Sequence, residues 1–93
     1  MSVQFIYDYV DRLIRAGLKS FENSEGALKQ GREAEAHAFA MAALAYLQSA
    51  LHLAPKRTEQ IVPNVHVLLE RINGIPPQAM TNTIPTLPPL SKE

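Results

Sequence analysis

Apolar side chains recur along the first third of the chain at steps of three and four residues, which is the spacing of one face of an α-helix. This apolar face extends from Ile6 to Phe21, with charged residues on the opposite side. A polar segment that includes Gly26 follows, so the helix is expected to end near Phe21 or to continue to Gln30. Gly31 is a stop in either case, because glycine closes helices readily and is poor in their interior.

Alanine dominates the chain from about Glu33 to Leu53 and predicts a second helix, since alanine is the strongest helix former. Two heptad series are predicted to form one seam: Ala36, Ala43 and Ala50 and, three positions later, Phe39, Tyr46 and Leu53. The neighbouring faces are also apolar or small. We therefore expect this helix to be central, with a partner helix on each of two sides.

Prolines and glycine delimit a third, shorter helix. Pro55 ends the second helix because its ring blocks the preceding turn, and residues 56–58 are expected to form the connection. Pro63 is tolerated at a first helical position, so the third helix is predicted to begin there. Asn73 and Gly74 supply its stop.

The composition changes after this third helix, where five of the chain's seven prolines lie. The sequence therefore predicts an all-α protein: a small antiparallel three-helix bundle at 1–74 and an extended proline-rich tail at 75–93. In a polyproline II conformation Ile84, Leu87 and Leu90 line one edge of the tail. We expect that edge to dock on the chain's own groove, on a neighbouring copy or on a partner.

Length and charge limit which classes of function and partner are expected. Ninety-three residues allow one domain with a modest core. Nine basic and nine acidic residues give a formal net charge of zero, which disfavours nucleic acid as a partner. The chain has no cysteine, no basic segment ahead of an apolar run and no stretch of about 20 apolar residues, so no signal peptide or membrane span is predicted. The expected location is the cytoplasm.

Candidate catalytic or metal-binding residues are few. The possible metal ligands are His37, His52 and His66. The possible acid–base pairs are Asp8 with Asp11 and Glu33 with Glu35. The histidines are fifteen and fourteen residues apart, which matches no compact ligand motif, and His37 is expected on the solvated side of the second helix. The acidic pairs are interpreted as exposed charges, so neither an enzyme nor a metal or other cofactor is predicted.

Part of the second helix resembles a known family. The residues that carry the resemblance are Gly31, Glu35, Ala36, Ala43, Leu44, Tyr46, Leu47, Ala50 and Leu51. They are similar to the second helix of the microtubule-interacting-and-trafficking domain, a three-helix bundle related to tetratricopeptide repeats. Residues 68–71 are similar to that family's third helix. The resemblance implies grooves that receive short helical or proline-containing peptides from membrane-remodelling filaments.

The leading functional hypothesis is a helical adaptor that binds a peptide or an amphipathic helix of another protein, or of a second copy. Its groove is predicted between the second and third helices, at Tyr46, Leu47, Leu69 and Ile72. The alternative is a small bacterial secretion or flagellar chaperone or regulator that holds one partner. Both hypotheses describe a protein-binding module without catalysis.

Overall fold

The structure, a computed structural model that describes residues 3–75, consists of helices joined by short turns. The helices are α1 (Val3–Lys29), α2 (Glu33–Leu53), α3 (Pro55–Ile61) and α4 (Val65–Asn73). Because no strand occurs within residues 3–75, the all-α prediction is confirmed. This part of the chain has four helices instead of the three predicted. Apart from Ile75, the predicted tail lies outside the described residues.

Helix α1 continues without a break through the polar segment at 23–26, so the longer of the two predicted alternatives is correct. Ser24 is fully buried in the middle of this segment. Its hydroxyl donates a hydrogen bond of 2.6 Å to the carbonyl oxygen of Ala36. The bond joins the last turns of α1 to the first turn of α2.

The turn between α1 and α2 confirms Gly31 as the stop. Its φ is 77°, in the left-handed region that glycine adopts without steric cost. The Arg32 N–H donates to the Ala27 carbonyl at 2.9 Å, and the Gly31 N–H donates to the Leu28 carbonyl at 3.1 Å. This pair of bonds is a Schellman motif, which satisfies the last carbonyls of α1.

Helices α1 and α2 form a closely packed antiparallel pair. Val10 packs in one cluster with Ala50 near one end, and the serine hydroxyl bond described above joins the other end. Between these points Gly17 is buried against α2. A Cβ added at Gly17 would lie 2.7 Å from Leu47 Cγ, so the absence of a side chain allows the two helices their close approach.

The small half of the predicted α2 seam faces the core, and the large half does not. The small residues, all fully buried, are Ala36, Ala43 and Ala50. Tyr46 and Leu53, three positions after two of these alanines, keep 40% and 48% of their surface exposed. The core face of α2 instead continues four positions after each alanine and includes the fully buried Leu47, because α1 and α4 pack on that side.

The segment after α2 corrects two predictions. Pro55 ends α2, but residues 56–58 lie inside α3 instead of in a connection. A proline at the first helical position lacks only an N–H that has no helical acceptor, so the residue that ends α2 also begins α3. Pro63 lies in the turn at 62–64, and the next helix begins at Val65.

Helices α3 and α4 lie on one side of the α1–α2 pair. Helix α3 reaches α1 at Tyr7 and Asp11, and α4 reaches α1 at Phe21 and Glu25. Helical spacing places these four residues on one side of α1. The cluster that joins α2 to α4 consists of Ala40, Ala43, Leu47 and Ile72. The described helices thus form a two-helix layer covered by α3 and α4 on one side.

No helix in the described part of the chain has the length and apolar character needed to cross a membrane.

Candidate functional site: the groove between α1 and α2

The structure does not bring the predicted site residues together on an open surface. Leu47 and Ile72 are both fully buried in the core cluster between α2 and α4. Leu69 is half-buried beside them, and Tyr46 is 40% exposed. The remaining predicted site residues, Ile84, Leu87 and Leu90, lie outside the described residues. Fully buried side chains contact the chain's own core, so only Tyr46 and Leu69 are accessible to a partner.

What remains open between α2 and α4 is a small cleft of about 190 Å³. It is lined by Leu44, Gln48, Leu69, Glu70 and Asn73. Packing of α4 onto α2 has filled most of the predicted groove with core side chains, and polar residues border what is left. This cleft offers little apolar surface to a helix.

A larger cleft, of about 530 Å³, opens between α1 and α2. We call it the α1–α2 groove, and its lining residues are Tyr9, Ala45, Gln48, Ser49, His52 and Leu53. Tyr9 is two residues from both Tyr7 and Asp11, which turns it to the opposite side of α1 from α3. The α1–α2 groove therefore lies on the side of the pair that α3 and α4 leave uncovered.

The groove exposes apolar surface that a solvated helix rarely shows. Tyr9 and Leu53 keep 49% and 48% of their surface accessible. Between Glu35 and Lys56 the chain contains no Asp, Glu, Lys or Arg, although α2 presents a run of exposed positions to solvent there. A helix that is hydrophobic all round is normally buried, and α2, whose open face combines apolar residues with the uncharged Gln48, Ser49 and His52, lacks the charged face of a typical surface helix.

Two ion pairs join α1 to the helices on the covered side, Asp11 with Arg57 of α3 and Glu25 with Arg71 of α4. The Arg57 guanidinium donates to both Asp11 carboxylate oxygens, at 3.1 and 2.8 Å, and lies 5.0 Å from the Tyr7 ring centroid. The hydrogen bonds from Arg57 hold the pKa of the Asp11 carboxyl below its usual value. Asp11 is therefore a paired anion that ties α1 to α3.

The histidines are dispersed. His66 lies 3.2 Å from Glu59, and His52 borders the α1–α2 groove. His37 is half-buried, and its Nδ1 is buried without a hydrogen-bond partner among residues 3–75, which corrects the expectation that it faces solvent. Within residues 3–75, no three His, Asp or Glu side chains are grouped in a way that could hold a metal ion.

A scan against protein-family models and searches of curated proteins and of solved structures each find no match to this chain. The class that the fold and the groove define, within residues 3–75, is a small helical bundle with exposed apolar surface at the α1–α2 groove. The resemblance of α2 to microtubule-interacting-and-trafficking domains stays a prediction.

The sequence contains the feature that distinguishes this side, namely the uncharged run from 36 to 55. That run indicates burial on every face of α2. It does not tell which face the chain itself leaves open, because that depends on where α4 packs.

Proposed function

We propose that the chain is a non-enzymatic protein-binding module of the cytoplasm, with the α1–α2 groove as its docking surface. The observation that supports the proposal is the uncharged surface of α2, which α1, α3 and α4 cover on two sides only. Its third side borders a cleft of about 530 Å³. A partner's helix in that position would complete the burial of α2.

The composition of the groove favours a protein ligand. Tyr9, beside the groove, offers a rigid apolar ring with a polar tip, and tyrosine is enriched at protein interfaces. Fully burying a side chain the size of leucine contributes about 1.5 to 3 kcal/mol, so covering the half-exposed Leu53 contributes roughly half of that. Gln48 and Ser49 provide hydrogen-bonding groups at the border without adding a charge.

The fitting partner is a helix whose facing side is apolar or small. Ala45 and Ser49, one helical turn apart on α2, allow another helix to approach closely, while Tyr9 and Leu53 flank its path. This is helix-in-groove recognition, in which anchors at spacings of three and four residues occupy an apolar groove. The same surface would serve an adaptor or a small chaperone, and the number of different partners recovered separates these two roles.

The proposal is tested by placing a charge in the groove. We expect Ser49→Glu to abolish or strongly reduce co-purification of the partner from the native cells, because the carboxylate would be desolvated without a counter-ion. Gln60→Glu is the matched control, since Gln60 is exposed on α3 and lies on the covered side. Equal recovery of the same partner with both variants would contradict a docking role for the groove.

A further inference from the structure

Resting on the proposed function, we propose that the helix that fills the α1–α2 groove is α2 of a second copy of this chain. The two α2 helices pack antiparallel about a two-fold axis near Ala45. Helix α2 of each copy then buries the exposed face of α2 in the other copy.

The charge distribution favours a second copy. In a two-fold interface, residues near the axis meet their own counterparts, so any charge there would face a like charge. Ala45 lies at the middle of the run from 36 to 55, which holds no Asp, Glu, Lys or Arg. In the antiparallel arrangement the acidic start of α2, at Glu33, lies near the basic residue that follows its end, Lys56, in the other copy. A parallel pair would bring like charges together instead.

The order of residue sizes also fits this register. With Ala45 on the axis, residues whose numbers add up to about 90 face each other. The facing pairs include Ala38 with His52 and Ala42 with Gln48. Each of these pairs combines a small residue with a larger one, so the two surfaces interdigitate. All four residues are exposed or half-buried in the single chain.

The uncovered face of the α1–α2 pair sets an upper limit on the area of the dimer interface. Helix α2 has 21 residues and is therefore about 31 Å long, and a neighbouring helix adds about 10 Å of width. An interface two helices wide would cover roughly 600 Å² per copy, the lower end of the range for specific interfaces. From α1, Tyr9 lines the groove and would contribute to this area.

Opposite charges placed on the axis test the proposal. Wild-type protein should sediment as a dimer at micromolar concentration. Ala45→Glu and Ala45→Lys should each weaken dimerisation by more than about tenfold, because each brings two like charges together. Mixing the two variants should restore a dimer that contains one copy of each. Gln60→Glu and Gln60→Lys, singly and mixed, are the matched controls and should sediment as wild type does.

A second measurement uses the absence of cysteine from the sequence. Ala45→Cys should form a disulfide-linked dimer under mild oxidation much faster than Gln60→Cys. Monomeric wild-type protein would overturn the inference, as would dimers unaffected by either charge at position 45. If the protein is monomeric but Ser49→Glu still abolishes binding of a different protein, the second-copy inference fails and the proposed function stands.

Discussion

Two glycines of α1 occupy different surroundings, and the difference predicts opposite effects of the same substitution. At Gly17 a Cβ would come within 2.7 Å of Leu47 Cγ, whereas at Gly26 it would meet no described atom within 4 Å apart from its chain neighbours and the adjacent backbone of its own helix. Alanine in a helix is favoured over glycine by about 1 kcal/mol, but overpacking a close contact costs about 1 to 3 kcal/mol. At Gly17 the cost of overpacking is therefore expected to exceed the gain in helix propensity.

We expect Gly17→Ala to lower the free energy of unfolding by up to about 2 kcal/mol. Gly26→Ala should raise it by about 0.5 to 1 kcal/mol, because the helix gains propensity without a clash. Urea denaturation of both variants measures the two values. Equal stabilisation by both substitutions would show that α1 and α2 do not approach closely at Gly17.

The ion pair between Asp11 and Arg57 predicts a dependence of stability on pH. The pKa of Asp11 is lowered from 3.8 in the folded protein, chiefly by the hydrogen bonds from Arg57. The pair therefore contributes stability above pH 3.8, and this contribution is lost as the pH falls through the lower, folded-state pKa.

Asp11→Asn should thus be less stable than wild type at neutral pH, and the difference should shrink below pH 4 or so. Asp8→Asn is the control, because Asp8 is exposed and accepts a hydrogen bond from Gln4 instead. Thermal denaturation between neutral and strongly acidic pH measures the difference. A stability gap that stays constant down to acid pH would rule out the ion pair as its cause.

At the level of the helices, the alanine face of α2 determines how closely α1 and α4 pack. Ala43 and Ala50 are fully buried, whereas Ala34 in the first turn is exposed. We expect leucine at either buried position to lower the free energy of unfolding by about 1 to 3 kcal/mol. Ala34→Leu should change it by less than about 0.5 kcal/mol, as is usual for surface positions. Unchanged melting of Ala43→Leu and Ala50→Leu would place this face outside the core.

The sequence predicted those elements whose ends have a local chemical cause. Gly31 and Pro55 delimit α2 through backbone conformation and a missing N–H, so its predicted span of Glu33 to Leu53 is confirmed. Helix α3 was missed because Pro55 was interpreted only as the end of α2 and the first helical position was assigned to Pro63, although Pro55 is the proline that begins a helix. Within the continuous α1, Ser24 is buried and bonded to Ala36 of α2, a tertiary contact that no local sequence pattern reveals.

The residues of the predicted docking site do not form an open groove, because the packing of α4 on α2 buries two of them. Leu47 and Ile72 have the hydrophobicity of both a core and an interface, and sequence spacing does not distinguish the two. The structure places them in the core, and the uncovered side of α2 lies elsewhere. Composition identified α2 as the central helix, but the direction of its open face follows only from the position of α4.

For the whole molecule, the described core extends as far as the last described residue. Helix α4 ends at Asn73, and Ile75 still packs against the cluster that joins α2 to α4. A chain that ends at Ile75 should therefore fold with the helical content expected for α1 to α4 and melt cooperatively. Circular dichroism of the full and shortened chains measures this. Loss of cooperative melting in the shortened chain would show that later residues belong to the core.

The sequence-based expectation that Ile84, Leu87 and Leu90 dock on a surface stays a prediction. If it is correct, the shortened chain should differ from the full chain in self-association or in affinity for the partner. Sedimentation and partner titration of both chains give the answer. Identical behaviour in the two assays would exclude a docking role for these residues.

Site-specific photo-crosslinking tests most directly whether the α1–α2 groove is a docking surface. A photoreactive amino acid at position 49, inside the groove, is compared with one at position 60 on the covered side, in cells that express the full chain. We predict efficient cross-linking from position 49 to a helical segment of another polypeptide, identified by mass spectrometry. Cross-linking from position 49 that is no stronger than cross-linking from position 60 would contradict a docking role for the α1–α2 groove.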